Sequence, residues 1–235
     1  MFSIIIPTLN EENKIAQTIK QFDKVKKEFD LEIIVADSLS TDNTVEIAKR
    51  YTDKVVIYDK TDSCNISKGR NFGALQATHD LLVFLDADII INDLRLFFEN
   101  LIEIFKDKSL AATSPRIFVD PKKENLSDKC IHSLISIISN IVNYFGYGYS
   151  RGGCQIVRSK FFKDIRGYNE QYVAGEDVDL FRRLSKLGKT TIANNTIVYE
   201  SPRRYRKFGY VKVLFNWFMN WVFTLFFKKS FSTKW

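Results

Sequence analysis

Four short stretches of this chain, residues 3–7, 32–36, 54–58 and 81–85, are nearly unbroken apolar runs of strand length, and segments with helical spacing separate them. A strand wetted on one side alternates apolar and polar residues, whereas an unbroken run suits a strand buried on both faces. Such strands interleaved with helices predict an α/β fold around a Rossmann-like, mostly parallel central sheet flanked by helices. Ile15, Ile19 and Phe22 fall at i, i+4 and i+7 on the first intervening helix, which Asn10 is positioned to cap. A second, shorter helix containing Val45 and Ala48 opens at Asp42 or Asn43. Further helices are expected near 93–105, 131–142 and 177–187, with a strand at 155–158, although the alternation is less regular here than in the first half.

The 235 residues, 45% of them hydrophobic, suffice for one sizeable core, and no repeat or Gly/Ser- or Pro-rich linker divides them. The expected division is a main domain over 1–200 and an extension over 201–235. Residues 1–7 lack the basic and long apolar segments of a secretory signal, so folding is expected to begin at Met1 in the cytoplasm. Cys64, Cys130 and Cys154 form no Cys-x-x-Cys pair, which argues against a disulfide framework or a zinc site. His79 and His132 are expected on helical or loop surfaces.

The net charge of +7 is concentrated at one end. From Ser201 onward there are eight Lys and Arg residues and no acid, which leaves residues 1–200 near neutral. Within this tail, 211–227 is an aromatic-rich run at the lower limit for a membrane span, interrupted by Lys212, Asn216 and Asn220 on one helical face. Together with the flanking Arg203, Arg204, Arg206, Lys207, Lys228 and Lys229, this fits an in-plane amphipathic helix on an anionic membrane surface through residues 203–229. Packing on the domain or on a second subunit, as a homo-oligomer, is the alternative, and the interleaved Phe and Trp argue against nucleic acid.

In sheets of this kind ligands gather at the carboxyl ends of the strands. The first strand ends at Pro7-Thr8-Leu9-Asn10-Glu11-Glu12, the second at Asp37-Ser38-Leu39-Ser40-Thr41-Asp42, and the fourth at Asp86-Ala87-Asp88. Two carboxylates inside an apolar stretch need a cation or water, and carboxylates suit Mg2+ or Mn2+ held jointly with substrate phosphates. A strand-end turn with Asp86 capping the next helix is the simpler alternative. Upstream, Lys68, Arg70 and Asn71 at a helix start could receive a diphosphate. Glu176, Asp177 and Asp179 open a helix whose dipole favours acids there, and a carboxylate at that position can also act as a general base.

Ser3 to Glu12, Asp37 to Asp42, Lys68 to Gly73, Asp86-Ala87-Asp88 and Gly175-Glu176-Asp177, in that order, resemble the family 2 glycosyltransferases with a GT-A fold. The resemblance runs from residue 3 to about 188. It implies that Pro7, Thr8, Asn10 and Glu12 line a nucleoside pocket with Asp37 near the base, and that Lys68 and Arg70 flank the diphosphate. Asp88 would be the direct metal ligand, with Asp86 chiefly on the nucleotide. Asp177, with Glu176 beside it, would be the base of an inverting transfer. Two departures stand out: Ser38-Leu39 replaces a common Asp-Gly, and no late histidine is available for the metal. The implied activity moves a sugar from a UDP- or GDP-linked donor to a glycan or lipid-linked acceptor, peripherally on the inner face of the cell membrane. A sugar-phosphate nucleotidyltransferase and a non-catalytic membrane adaptor are the alternatives. The first usually carries a Gly-rich basic loop where Thr8-Leu9-Asn10 stands.

Overall fold

The computed structural model describes residues 1–52, 54–58 and 64–232. The strands are β1 (Phe2–Thr8), β2 (Leu31–Asp37), β3 (Lys54–Ile57), β4 (Leu81–Leu85), β5 (Ile90–Ile91), β6 (Leu110–Val119), β7 (Cys154–Arg158) and β8 (Lys189–Glu200). The helices are α1 (Ile15–Lys20), α2 (Thr44–Lys49), α3 (Ile66–Ala74), α4 (Leu94–Ile104), α5 (Leu126–Tyr144), α6 (Ser159–Asp164), α7 (Glu176–Leu184), α8 (Arg203–Phe208) and α9 (Tyr210–Phe226). One sheet runs β3-β2-β1-β4-β7-β6-β8-β5.

The four strands foreseen from apolar runs are parallel neighbours, with Ile5 beside Ile34 on one side and Phe84 on the other. Beyond them the sheet is mixed, since β7 runs antiparallel to both β4 and β6, and β5 antiparallel to β8. Alternate residues of β1 supply two cores. Phe2, Ile4 and Ile6 pack with Ile15, Ile19, Phe98 and Leu101, while Ile5 packs with Phe84, Phe162, Leu180 and Leu184. Because β1 has β2 on one side and β4 on the other, the chain reverses direction across the sheet there. Such a switch point opens a crevice at the strand ends.

Several local expectations need correction. Asn10 does not cap α1, whose N-cap is Lys14 without a side-chain bond; Asn10 adopts φ 55 and ties down the neighbouring loop instead. Asp86 caps no helix, because Asp93 takes that place on α4 by accepting from the Leu96 N–H at 3.0 Å. Helix α5 begins earlier than its apolar spacing implied, at a capping box in which Asn125 and Asp128 satisfy each other's backbone N–H. His132 is buried, not superficial.

The C-terminal segment is joined to the body through buried polar groups. Arg151 pairs with Glu200, bonds the Tyr205 hydroxyl at 2.9 Å and lies over the Trp217 ring at 5.1 Å. Its Nη1 is 3.1 Å from His132 Nδ1. Asp128, fully buried, takes Arg206 and the Tyr210 hydroxyl. At the far end of α9, Ser230 Oγ accepts from the N–H groups of Val173 and Ala174 at 3.0 and 3.2 Å. The stripe of α9 turned toward the body includes Val213, Asn220 and Thr224, so Asn220 of the polar face points inward. The last residues of the 201–235 extension, including Lys234, lie outside the described residues.

Candidate functional site

The ends of β1 and β2 are clasped by side chains. Asp37 is buried and accepts from Thr8 Oγ1 at 2.9 Å, Ser40 N at 2.8 Å and Ser40 Oγ at 2.6 Å. Asn10 Oδ1 accepts from Thr41 N at 2.8 Å, and Glu12 accepts from the backbone and side chain of Asn43 at 3.1 and 2.9 Å. Pro7 is buried within β1. These expected nucleoside-pocket residues therefore form one preorganised lip in which loop meets loop.

Helix α3 brings the next groups to the crevice. Asn65 caps it by accepting from Lys68 N at 2.9 Å, and Lys68 sits half-buried in its first turn. Gly69 and Gly73 let the helix press against β1 and β2: a Cβ at Gly73 would lie 2.6 Å from Ile5 Cγ2, and one at Gly69 3.1 Å from Ser38 Oγ. Only glycine permits that approach.

That contact turns Arg70 inward. The side chain is 2% exposed, with Nη2 2.7 Å from Asp86 Oδ1, Nη1 2.9 Å from Glu176 Oε1, and the guanidinium 5.2 Å from the Tyr168 ring centre. Its Nε has no hydrogen-bond partner among the described residues. The resemblance implies that Arg70 flanks a diphosphate; its guanidinium links the acid after β4 to the acid opening α7. Burial and the neighbouring Asp177 push the Glu176 carboxyl up to about 7, against the pull of Arg70. Asp177 is partly exposed. Its carboxylate accepts from Gly152 N and from Val178 N, and burial raises its pKa as well.

Asp88 lies on the other side of Asp86, with its side chain 18% exposed. Its Oδ2 is 3.3 Å from Arg203 Nη2, and that same nitrogen is 2.9 Å from Glu11 Oε1. Burial first, then the Asp86 charge, push Asp88 up to about 6; Arg203 opposes them, and Glu11 and Glu200 add to the rise. A cavity of about 400 Å³ adjoins Asp88, lined also by Lys14, Gln17, Asp120, Lys123 and Glu200. Among the described residues no group of three or more His, Cys, Asp or Glu could hold a metal. Asp88 and Asp86 are carboxylates of the kind that suit a hard divalent cation, and with so few protein donors such an ion would need phosphate oxygens to complete its shell.

The fold thus gathers Arg70, Asp86, Glu176 and Asp177 into one line, sets Asp88 beside Glu11, and joins Thr8 to Asp37. Sequence reading missed Gly152, Tyr168 and Arg203. The Gly152-Gly153 pair was a turn signal, and the Gly153 carbonyl accepts from Asp86 N at 2.8 Å. Arg203 counted only as tail charge, since nothing local marks a residue that folds back onto the first half.

A model of the family described as Glycosyl transferase family 2 matches residues 3–166. The poly(ribitol-phosphate) beta-N-acetylglucosaminyltransferase TarS of Staphylococcus aureus is 36% identical over 97 residues, which are 39% of this chain and 17% of TarS. The chain therefore spans less than a fifth of that relative's length in the match. In three dimensions the mannosyltransferase PcManGT from Pyrobaculum calidifontis, in complex with GDP-Man and Mn2+, aligns with a TM-score of 0.67 over 85% of this chain and 56% of its own, at 16% identity. TarS residues 1–349 with UDP-GlcNAc align with a TM-score of 0.64 over 85% of this chain and 58% of that one, at 21% identity.

Proposed function

The chain belongs to glycosyl transferase family 2 and has the GT-A fold, and on that premise we propose that it transfers a sugar, with inversion, from a UDP- or GDP-linked donor to a hydroxyl or lipid-phosphate acceptor. The carrying observation is the line Asp86–Arg70–Glu176 with Asp177 next to it, which joins the donor acids to a base on a separate helix.

In this reading the lip of Pro7, Thr8, Asn10, Glu12 and Asp37 takes the nucleoside, and Lys68 approaches the diphosphate. Asp88, with Asp86, holds Mn2+ or Mg2+, which when bound offsets the charge on the departing diphosphate. Asp177 accepts the acceptor proton as the acceptor oxygen attacks the anomeric carbon. The bond from that carbon to the diphosphate oxygen breaks, its electrons leave on the nucleoside diphosphate, and the configuration inverts. A raised pKa suits this role, because a stronger base takes the proton more readily. Arg70 beside the diphosphate also fixes the Asp86 and Glu176 carboxylates.

Among the described residues no helix is long and apolar enough to cross a membrane. Attachment in this reading is peripheral, on the inner face of the cell membrane through residues 203–229. The outward residues Phe215, Phe218, Trp221 and Phe226 of α9 and the surrounding cations support it. The test is a panel of UDP- and GDP-sugars with Mn2+, scoring nucleoside diphosphate release. Asp88→Ala and Asp177→Asn are expected to abolish release and transfer respectively while the melting curve is retained; full activity in both overturns the assignment.

A further inference from the structure

Helix α5 is built inside out. Its residues buried against the body are Asp128, His132, Ser139 and Asn143, every one polar. Each has an internal partner: Asp128 takes Arg206, His132 sits by Arg151, Ser139 Oγ donates to the Ile135 carbonyl at 2.7 Å, and Asn143 Oδ1 accepts from Thr190 Oγ1 at 2.6 Å. The outer face carries Leu134, Ile137, Ile138 and Ile141, and the helix runs out into Tyr144, 87% exposed, Phe145 and Tyr147. Between Lys129 and Arg151 the sequence contains no Asp, Glu, Lys or Arg. A helix on the surface of a water-soluble body has the opposite polarity, with its apolar stripe inward. Apolar patches of this extent mark an interaction site.

Helix α9 repeats the arrangement. Asn220 and Thr224 face in, while Val211, 86% exposed, Phe215, Phe218, Leu225 and Phe226 face out, and no charge occurs between Lys212 and Lys228. The two helices start from one corner, where Tyr210 of α9 reaches both Asp128 and His132 of α5.

We propose that α5 is a second lipid-contacting helix, which with α9 seats the protein in the headgroup and upper acyl region of an anionic bilayer. This rests on the membrane reading of α9 and deepens it. Charge selects lipid over a second copy of the chain. Arg204, Lys207, Lys212, Lys228 and Lys229 lie within or beside α9 in the sequence, and no acid follows Ser201. A two-fold contact through this surface would bring those cations near their own copies, whereas anionic headgroups complement them. Exposed Tyr144, Tyr147 and Trp221 are of the type that settles at the membrane–water boundary. The seating also locates the chemistry. A Cβ on Gly175, the residue before Glu176, would lie 3.0 Å from Thr224 Cγ2, so the acid loop rests directly on α9. Asp177 would then work at headgroup depth, where the phosphate or first hydroxyl of a lipid-linked acceptor lies.

The experiment attaches an environment-sensitive fluorophore at Ile138→Cys in α5 or at Phe218→Cys in α9 of the full chain carrying Cys64→Ser and Cys130→Ser, which removes the accessible native thiols. Each labelled protein is titrated with vesicles of phosphatidylcholine alone or with one quarter phosphatidylglycerol. Blue-shifted, brightened emission at both positions with anionic vesicles supports the proposal. A companion double variant, Ile137→Ser with Ile141→Ser, is expected to lower vesicle partitioning on the order of tenfold or more. A response at 218 without one at 138 overturns the role of α5 and leaves α9 attachment standing; no response at either position removes both. Brightening at 138 that follows protein concentration without vesicles makes the face a self-association surface and also overturns the proposal.

Discussion

Replacing Arg70 tests the centre of the site without knowledge of the donor. The guanidinium is buried and paired at 2.7 and 2.9 Å with Asp86 and Glu176. Removing one partner of a buried ion pair typically costs about 3–5 kcal/mol, because the remaining charge is left without compensation. Here two carboxylates are left. For a chain of this size each kcal/mol moves the melting midpoint by about 2–4 °C, so Arg70→Met, which keeps the packing volume, should melt about 6–20 °C lower. The pH dependence separates electrostatics from packing. The Glu176 pKa already stands near 7, above its ordinary 4.5. A carboxyl raised in the folded state contributes stability that is present below its unfolded pKa and lost as pH rises through the folded one. Without Arg70 the folded value rises further, so the variant recovers stability on acidification over a wider range than the parent. The deficit in urea melts should be largest near pH 8 and shrink toward pH 5. A loss below about 1 kcal/mol, or a deficit that grows toward acid pH, refutes the account.

Arg203→Gln should raise affinity for Mn2+ alone by about two- to fivefold in calorimetry, as expected for a half-exposed ion pair competing for Asp88; weaker binding would assign Arg203 to holding the site together. Because protons and metal compete for Asp88, pushed up to about 6, Mn2+ affinity should hold from pH 8 to about 7 and fall by about tenfold per pH unit well below 6; a flat profile from 7 to 5 counts against Asp88 as ligand. Gly73→Ala places a methyl 2.6 Å from Ile5 Cγ2 and should destabilise the chain by about 1–3 kcal/mol in urea melts, whereas an unchanged midpoint would mean that α3 shifts freely on the sheet.

The parallel half of the sheet was legible because Ile4, Ile5, Ile33, Ile34, Val83 and Phe84 are buried on both faces, and a doubly buried strand has no other composition available. Strands β6 and β8 escaped notice for a physical reason. Pro115 lies where their register shifts, and the ladder resumes at Arg116 opposite Ile197, leaving Asn194 to Thr196 out of the pairing. A bulge of this kind breaks the alternation that announces a strand. Within the site, the residue types at each strand end could be read locally. The direction of Arg70 could not, since it depends on which face of α3 the glycines press onto the sheet. The polarity of α5 and α9 was hidden for a related reason: periodicity shows that two faces differ but not which one meets the protein.

The network around Arg151 bears on how far this protein can be divided. Cutting after Glu200 would leave every strand intact, yet it would strip Tyr205, Arg206, Tyr210 and Trp217 from Arg151, Asp128 and His132, whose side chains are buried or nearly so. The shortest autonomous unit therefore extends past the last strand and well into α9. A body cut there would keep Arg151 on Glu200 but leave the buried Asp128 without Arg206 and the Tyr210 hydroxyl. The aromatic segment at the C-terminus is as much a part of the domain as the strands before it.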